Sequence, residues 1–447
     1  MWTVENSRRC SGPGCPCPKA LAPRNASGSF PPSRTFWLFL AQVFSADASC
    51  GEVLRKFLVW LAVETGKTAS PRTGAYCKAR KRLPLNHIEQ THANVREAVS
   101  AHAGAGYRWC GRKVKVVDGS SLSMPDTPDN QGRYPQPSTQ KVGCGFPVMR
   151  IVAVFCLGTG VLIDLAKDAL SVHERTLFRR LWHLFEPGDV VLADTGFCSY
   201  ADFYFLAQQR VDCVMRNHQR RKVGVRNVKK LGKGDRLVLW IKTKVRPKWL
   251  DDEQWQAVPD TLHVREVTIS VSEPGFRSKT LVVVTTLCDP KRFSKAAIAE
   301  LYRRRWAAEL NLRDIKIALG MDILRCKAPD TVEKELWMHA IAYNLIRALM
   351  AKAAHVHGTT PDRLSFKGTL TAVRQWAPYI QRASRQKRRT LMDLLLVLIA
   401  KDTLPRRPNR IEPRAKKRRP KNYQLLTDHR SRFKEQPHRN RYTKKLK

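Results

Sequence analysis

Four residues able to handle a phosphodiester lie in one short stretch, "LYRRRWAAELNLRDIKI" (301–317): Tyr302, Arg305, Glu309 and Lys316. On an α-helix, at ~100° per residue, they fall at about 0°, 300°, 340° and 320°, a sector about 60° wide. Leu301, Ala308, Leu312, Ile315 and Leu319 lie beside that sector, at about 220–280°. One stripe is therefore expected to pack on a core while the next presents a phenol, a guanidinium, a carboxylate and an ammonium in line. Arg305 and Lys316 suit phosphate oxygens. Glu309 has two readings. It either pairs with Arg305 or Arg313 at i±4, worth a few tenths of a kcal/mol, or it ligates a metal that faces a phosphate.

Two aspartates stand where elements end. Asp118 follows "VKVV" and precedes Gly119, and Asp194 follows "VVLA" and precedes "TGF". A carboxylate at the C-terminal end of a strand can reach a cleft, although Asp-Gly is also a common turn former. Asp126 and Asp129 lie nearby in a Pro-rich loop and are read as loop carboxylates. The surrounding periodicity supplies the frame. "KVKVVDGSS", "VMRIVAVFCL" and "GVLIDLAKDA" read as strands, the last two joined at Gly158–Gly160. "SVHERTLFRRLWHLF" reads as a helix, "GDVVLADTG" as a buried strand, "YADFYFLAQQR" as a helix and "VDCVMRN" as a fifth strand. The basic helix "SKAAIAELYRRRWAAELNLRDIKIAL" comes only after a β-rich stretch. The expected class is α/β: a ribonuclease-H-like mixed sheet flanked by helices and interrupted by a β-rich insertion, with an all-helical N-terminal domain. In that β-β-β-α-β-α-β-α order the first and fourth strands are neighbours and the late helix crosses beside their ends. Asp118, Asp194 and Glu309 then converge. Three carboxylates offer the hard oxygen ligands that Mg2+ prefers, and a pair of such ions suits an in-line displacement at phosphorus.

On these residues the sequence resembles the DDE transposases of the bacterial insertion-sequence-four family. Their signature, Tyr, two residues, Arg, three residues, Glu, six residues, Lys, is met in full by Tyr302, Arg305, Glu309 and Lys316. The resemblance extends to "VVDGSSLSMPDTPDNQ", "LADTGFCSY", "NHQRRKV", "SPRTGAYCKARKRLP" and "EPRAKKRRPKNYQLL", spanning residues 35–427. It implies that Asp118, Asp194 and Glu309 are the catalytic, metal-binding triad, with two Mg2+ ions for which Mn2+ can substitute. Tyr302 and Arg305 would hold phosphates at the transposon end and Lys316 the backbone beyond. It further implies a cut-and-paste reaction on double-stranded DNA by a homodimer that pairs two ends. Thr195 departs from the family pattern, since many relatives carry Arg there. A nuclease of the same fold that never joins strands, and an inactive DNA-binding remnant or regulator, are the rival readings.

Charge points the same way. The 447 residues hold 81 Lys+Arg against 38 Asp+Glu, a formal charge of +43, a field that calls for a polyanion. No apolar run reaches the ~18 residues of a spanning helix and no signal pattern opens the chain. The expectation is therefore a soluble cytoplasmic protein without a membrane partner, and the family resemblance implies a bacterial, nucleoid-associated one. Most of the twelve cysteines lie in apolar patterns and read as small buried hydrophobes. Cys10, Cys15 and Cys17 lack a second Cys/His pair at zinc-finger spacing.

The chain divides into residues 1–34, a Pro/Gly/Ser-rich extension; 35–105, a helical DNA-binding domain; 106–216, the first part of the catalytic domain; 217–296, the insertion; 297–356, the catalytic helix and close of that domain; 357–404, a helical segment; and 405–447, a basic tail with 17 Lys/Arg against 3 Asp/Glu. In the helical domain, Ser45 or Asp47 is the expected cap of the second helix. "SPRTGAYCKARKRLP" is expected to start at Ser70–Pro71 and stop at Pro84, presenting Tyr76, Lys78, Arg80 and Arg82 to DNA, or simply to solvent. Trp240, Trp249 and Trp255 of the insertion suit either a core or a stacking wedge for an extruded base.

Overall fold

Among the described residues, four helices precede the sheet: α1 (Pro32–Phe44), α2 (Cys50–Thr65), α3 (Gly74–Arg82) and α4 (Leu85–Ala101). The computed structural model describes residues 30–101, 107–217, 225–270, 280–405 and 425–432. Cys10, Cys15 and Cys17, most of "NHQRRKV" and the basic run 414–421 lie outside the described residues. Ser49, rather than Ser45 or Asp47, caps α2 by accepting from the Glu52 amide at 3.1 Å. Asp47 is engaged by the Ser49 hydroxyl instead. α3 begins later than the Ser70–Pro71 signal, with Thr73 at its N-cap, and stops before Pro84.

The sheet opens with β1 (Val114–Ser123), followed by a short α5 (Pro128–Arg133), β2 (Val148–Cys156) and β3 (Leu162–Ala169). These strands form an antiparallel meander, with Asp118 opposite Ala153 and Ala153 opposite Leu165. The long helix expected after β3 is a single short α6 (Glu174–Arg179) and a 3-10 turn at Trp182–Leu184. Then come β4 (Val190–Ala193), α7 (Tyr200–Gln208) and β5 (Asp212–Arg216). β4 runs parallel to β1 with Val116 opposite Leu192, and β5 runs parallel to β4 with Ala193 opposite Met215. The order β3-β2-β1-β4-β5, antiparallel and then parallel, is the ribonuclease-H-like arrangement.

The next four strands are β6 (Val225–Gly232), β7 (Asp235–Ile241), β8 (Thr261–Ser270) and β9 (Thr280–Thr285), with α8 (Asp252–Ala257) between β7 and β8. They do not form a separate sheet. β9 pairs antiparallel with β5, Met215 opposite Val284, so one nine-stranded sheet runs β3-β2-β1-β4-β5-β9-β8-β7-β6. Trp240 is a core residue, its ring 5.2 Å from Phe203. Trp249 packs on Phe205 and under the Arg179 guanidinium, and Trp255 lies beneath the Lys242 ammonium.

The chain closes with α9 (Lys295–Arg303), α10 (Trp306–Arg313), a π-helical turn at Asp314–Ala318, α11 (Pro329–Val356), α12 (Phe366–Arg382) and α13 (Arg385–Lys401). α11, buried along most of its length, packs on α4, α1, α12 and α13. Alternation along the strands divides the core. Val116, Ile151 and Leu192 face the α10–α11 side, whereas Val117, Val152 and Val191 face α6 and α7. None of the described helices is long and apolar enough to cross a membrane. The described cysteines are all free thiols, Cys213 fully buried in its strand and Cys156 half-buried.

Candidate active site

Asp118 lies in the middle of β1, not at its end, because β2 pairs with that strand all the way to Ser123. Its exposure to the cleft has another cause. The β4 ladder stops at Val116–Leu192, and on that side β1 next meets a neighbour only at Ser123, which bridges Ile323, so the edge beside Asp118 is open. Asp194 follows the last residue of β4 directly. Side-chain alternation turns Asp118 to the same sheet face as Val116, the face that α10 covers.

The basic helix is not continuous. α9 ends at Arg303 and α10 begins at Trp306, and the joint between them is tightened by i→i+3 bonds from Arg305 to Tyr302 and from Ala307 to Arg304. A π turn follows, closed by Leu319 donating to the Asp314 carbonyl at 3.2 Å. Such turns interrupt the 3.6-residue phase, so the straight-helix wheel overstates how closely the four side chains align. They nevertheless reach one region. The Tyr302 hydroxyl donates to Asp194 at 3.4 Å, a weak bond, and Arg305 Nη2 donates to Glu309 Oε1 at 2.7 Å. Lys316 Nζ donates to Ser120 Oγ and to the Ser121 carbonyl, both at 2.9 Å. Lys316 therefore stands two residues along β1 from Asp118, nearer than a straight helix places it.

Asp118 feels the charges of the other two carboxylates here. Burial, aided by the charges of Glu309 and Asp194, pushes the Asp118 carboxyl up to about 6 against the Gly119 amide and Arg305, which pull it down. Burial raises the Tyr302 phenol, and neighbouring Asp194 adds to that. Burial works against the charge of Arg305, yet its hydrogen bond to Glu309 and the field of Asp194 hold it above the usual guanidinium range. Desolvation lowers Lys316. The ion pair at Glu309 means that the salt-bridge reading of this residue is realised.

Among the described residues no three Asp, Glu, His or Cys side chains are gathered tightly enough to ligate one ion. The donor set still fits a hard divalent cation. It consists only of oxygens, it is half-buried, and the like charges that raise Asp118 are what such a cation would neutralise. Arg305 supplies part of that neutralisation here.

Sequence reasoning missed Arg216. It ends β5 one residue past Met215, the partner of Ala193, and so stands beside Asp194; its charge is felt by Tyr302. An arginine closing an otherwise apolar strand, "DCVMR", was the available signal. On α3 the structure separates the four expected DNA contacts. Lys78 and Arg82 are exposed. Tyr76 is fully buried and donates to Gln42 at 2.9 Å, while Arg80 is buried among Gln42, Cys77 and Cys326. Those two side chains face inward, because the apolar stripe of α3 continues through them onto α1.

Comparisons with known proteins bear on the family of this chain. A family model described as the transposase DDE domain matches residues 109–345, from just before β1 into α11. The transposase InsG for insertion sequence element IS4 of Escherichia coli (strain K12) is 28% identical over 358 residues, covering 78% of this chain and 77% of that protein. A cryo-EM structure of the piggyBac transposase synaptic complex with hairpin DNA aligns over 82% of this chain and 85% of that chain, at 9% identity and a TM-score of 0.38. Proteins of the matched family generally use a divalent metal. With that model covering more than half of its residues, and the carboxylate-bearing elements all inside the match, the chain belongs to the DDE transposase family.

Proposed function

We propose that this transposase cuts DNA at the ends of its own element and joins them to a target, with Asp118, Asp194 and Glu309 as the catalytic triad. The observation that carries the assignment is the placement of three carboxylates by β1, the end of β4 and α10 in one region, where Tyr302 bonds Asp194, Arg305 bonds Glu309, and Asp118 feels the charges of both. These residues would hold divalent metal, two Mg2+ ions with Mn2+ as a substitute. Bound there, such ions supply the Lewis acidity that activates an attacking oxygen and steadies the leaving one.

The chain's other residues orient the DNA. Arg305 and Tyr302 hold phosphates at the transposon end, Arg305 closest to the scissile one, and Lys316 holds the adjoining backbone beside Ser120 and Ser121. Water attacks a phosphodiester at each end, and the freed 3′ hydroxyl then attacks the opposite strand or the target. Residues 35–105 serve as the DNA-binding domain, with Lys78 and Arg82 at the phosphates. Residues 106–216 and 297–356 form the catalytic unit around the 217–296 insertion, and 405–447 adds non-specific phosphate affinity. The working form is a homodimer with both ends paired, acting in the bacterial cytoplasm on nucleoid DNA.

A strand-transfer assay with labelled element ends in Mg2+ tests the reading. Asp118→Asn, Asp194→Asn and Glu309→Gln are each expected to abolish cleavage and leave end binding nearly intact, since each preserves shape and removes one negative ligand. Cleavage without joining by the parent chain would assign it to the nucleases, and cleavage by all three variants would end the triad assignment.

A further inference from the structure

Three cysteine sulfurs gather around one buried guanidinium where the N-terminal helices meet the rest of the chain. Arg80 of α3 is 8% exposed. Its Nη2 donates to Cys77 Sγ on the same helix at 3.8 Å, and its Nη1 donates to Cys326 Sγ, just ahead of α11, at 3.7 Å. Cys50, the first residue of α2, places its Sγ 3.9 Å from that of Cys77. Among the described residues no carboxylate makes an ion pair with Arg80. Glu335, which feels its charge, is taken up by the Arg325 amide at 3.0 Å and the Cys326 amide at 2.9 Å. The other neighbours of the guanidinium are neutral: Gln42 Oε1 at 3.4 Å and the rings of Phe39 and Tyr76 at 4.8 and 5.1 Å. Its Nε has no acceptor among the described residues.

A cation withdrawn from water without an anion is costly, and the groups at hand that can become anions are thiols. A thiol held against a guanidinium ionises more readily, and the thiolate is the nucleophilic form. The three sulfurs are not equivalent. Cys326 is buried away from reagents in solvent, and burial pushes its thiol up. Cys50 and Cys77 are half-buried. Cys77 holds the bond from Arg80, and Cys50 does not. Burial raises the Cys50 thiol and the charge of Cys77 adds to that, against Arg80. The pair thus divides into a sulfur held by a cation and a protonated neighbour. The same guanidinium opposes a thiophilic metal ion between these sulfurs, because two cations would repel at that distance.

We infer that Cys77 and Cys50 form a peroxide-reactive pair, in which Cys77 attacks a hydroperoxide and Cys50 resolves the product as a disulfide between α3 and α2. The Cys77 thiolate attacks one peroxide oxygen, the O–O bond breaks, hydroxide leaves, and Cys77 becomes a sulfenic acid. The Cys50 sulfur then displaces that oxygen. An S–S bond replaces the S–O bond, and the thiol proton departs with the oxygen as water. With hydrogen peroxide, two thiols and one peroxide give one disulfide and two waters. The sulfurs close from 3.9 Å to about 2.05 Å, a side-chain movement on two helices already in contact. The bond ties the helix that exposes Lys78 and Arg82 to the start of α2, and a thiol reductant reverses it. This inference does not depend on the roles assigned to the carboxylates.

The test is peptide mapping by mass spectrometry of the reduced, full-length chain, exposed to hydrogen peroxide without denaturant for increasing times and then capped with N-ethylmaleimide. Peptides joined through Cys50 and Cys77 are expected, with the Cys77 thiol consumed at least about tenfold faster than that of the exposed Cys110. In Cys50→Ser the resolving sulfur is gone, and Cys77 should accumulate as a sulfenic acid that dimedone traps. In Cys77→Ser, Cys50 should stay reduced. Consumption of Cys77 no faster than that of Cys110 overturns its activation by Arg80. Joined peptides that form only in urea, or not at all, overturn the pairing.

Discussion

Arg305 is placed to serve two anions in turn. In the free chain its guanidinium closes on Glu309 at 2.7 Å with its side chain 13% exposed, while that of Glu309 is 35% exposed. A phosphate entering the cleft competes with Glu309 for the same donors, and a divalent cation competes with Arg305 for the same carboxylate. DNA and metal should therefore each release what the other needs. Arg305→Ala is expected to lower single-turnover cleavage by about 100-fold at saturating protein, because a misplaced reacting phosphate loses near-attack geometry. Lys316→Ala should mainly weaken DNA binding, in a salt-dependent way, with a smaller loss of rate from its lost tether to Ser120 and Ser121. Equal rate losses in the two variants would contradict the order of contacts proposed from Arg305 to Lys316. The types and spacing of these residues were legible in the sequence. The Arg305–Glu309 pair was legible only as one of two options, since i,i+4 spacing permits an ion pair without requiring it.

Among the elements, the first five strands and the placing of the first beside the fourth were legible, because period-2 alternation and short apolar runs are local signals. The joint at Arg304–Arg305 and the π turn at Asp314–Ala318 were not legible: the local pattern is helical throughout, and tertiary contacts bend it. What holds α9 and α10 in place is partly the insertion. Arg265 on β8, with no exposed surface, makes a two-pronged pair with Asp235 on β7 at 2.8 and 2.6 Å and donates to the Phe293 carbonyl at 2.7 Å, two residues before α9 begins. The insertion thus sets where the helix bearing Tyr302 starts. Arg265→Ala strands a buried carboxylate and should destabilise the fold by about 3–5 kcal/mol, measured by denaturant unfolding. Arg265→Met combined with Asp235→Leu removes both charges and should recover much of that loss. A single variant as stable as the parent would show that the pair is not what anchors the insertion. Likewise the inward turn of Tyr76 and Arg80 escaped sequence reading, because a tyrosine and an arginine on a basic helix look like surface until Gln42 and Cys326 are known to sit beneath them.

For the molecule as a whole, two buried histidines set its acid limit. Burial, aided by Arg96, lowers His92 to about 4, and burial, aided by Arg325, lowers His339 to about 3. His92 meets the Asn344 amide at 3.1 Å across α4 and α11. Both are neutral in the folded chain and titrate near 6.5 when unfolded, so the unfolded chain binds more protons below that value. Their stabilisation is complete above pH 6.5 and is lost as pH falls toward 4 and 3, at about 3 kcal/mol each by pH 4. His92→Gln and His339→Gln should each flatten the fall of unfolding free energy between pH 6.5 and 4. An unchanged slope would place the acid sensitivity elsewhere. The formal charge of +43 sets a second response. DNA affinity should drop steeply with salt, and removing residues 405–447 should reduce the slope of log K against log salt; an identical slope would mean that the tail leaves DNA untouched.

The long separations that tie this chain together also dictate when it can fold. Ser123 bonds to the Asp322 carbonyl across 199 positions, Asn344 clasps Leu162 across 182, and Arg374 reaches the Phe44 carbonyl across 330. A chain still on the ribosome at residue 290 has its strands but lacks α10 and α11, so the face of β1, β2 and β4 that carries Ile151 and Leu192 is bare. Pairings this remote in sequence form slowly, since their loop-closure entropy is met before any contact rewards it. The core cannot close until α10 and α11 have been made. A fragment ending at residue 290 is expected to bind a hydrophobic dye strongly and to aggregate, whereas the whole chain does neither. The same ordering delays the joining of Glu309 to Asp118 and Asp194 until α10 has been made, and on the proposed assignment a shorter nascent chain has no assembled site with which to cut the DNA beside it.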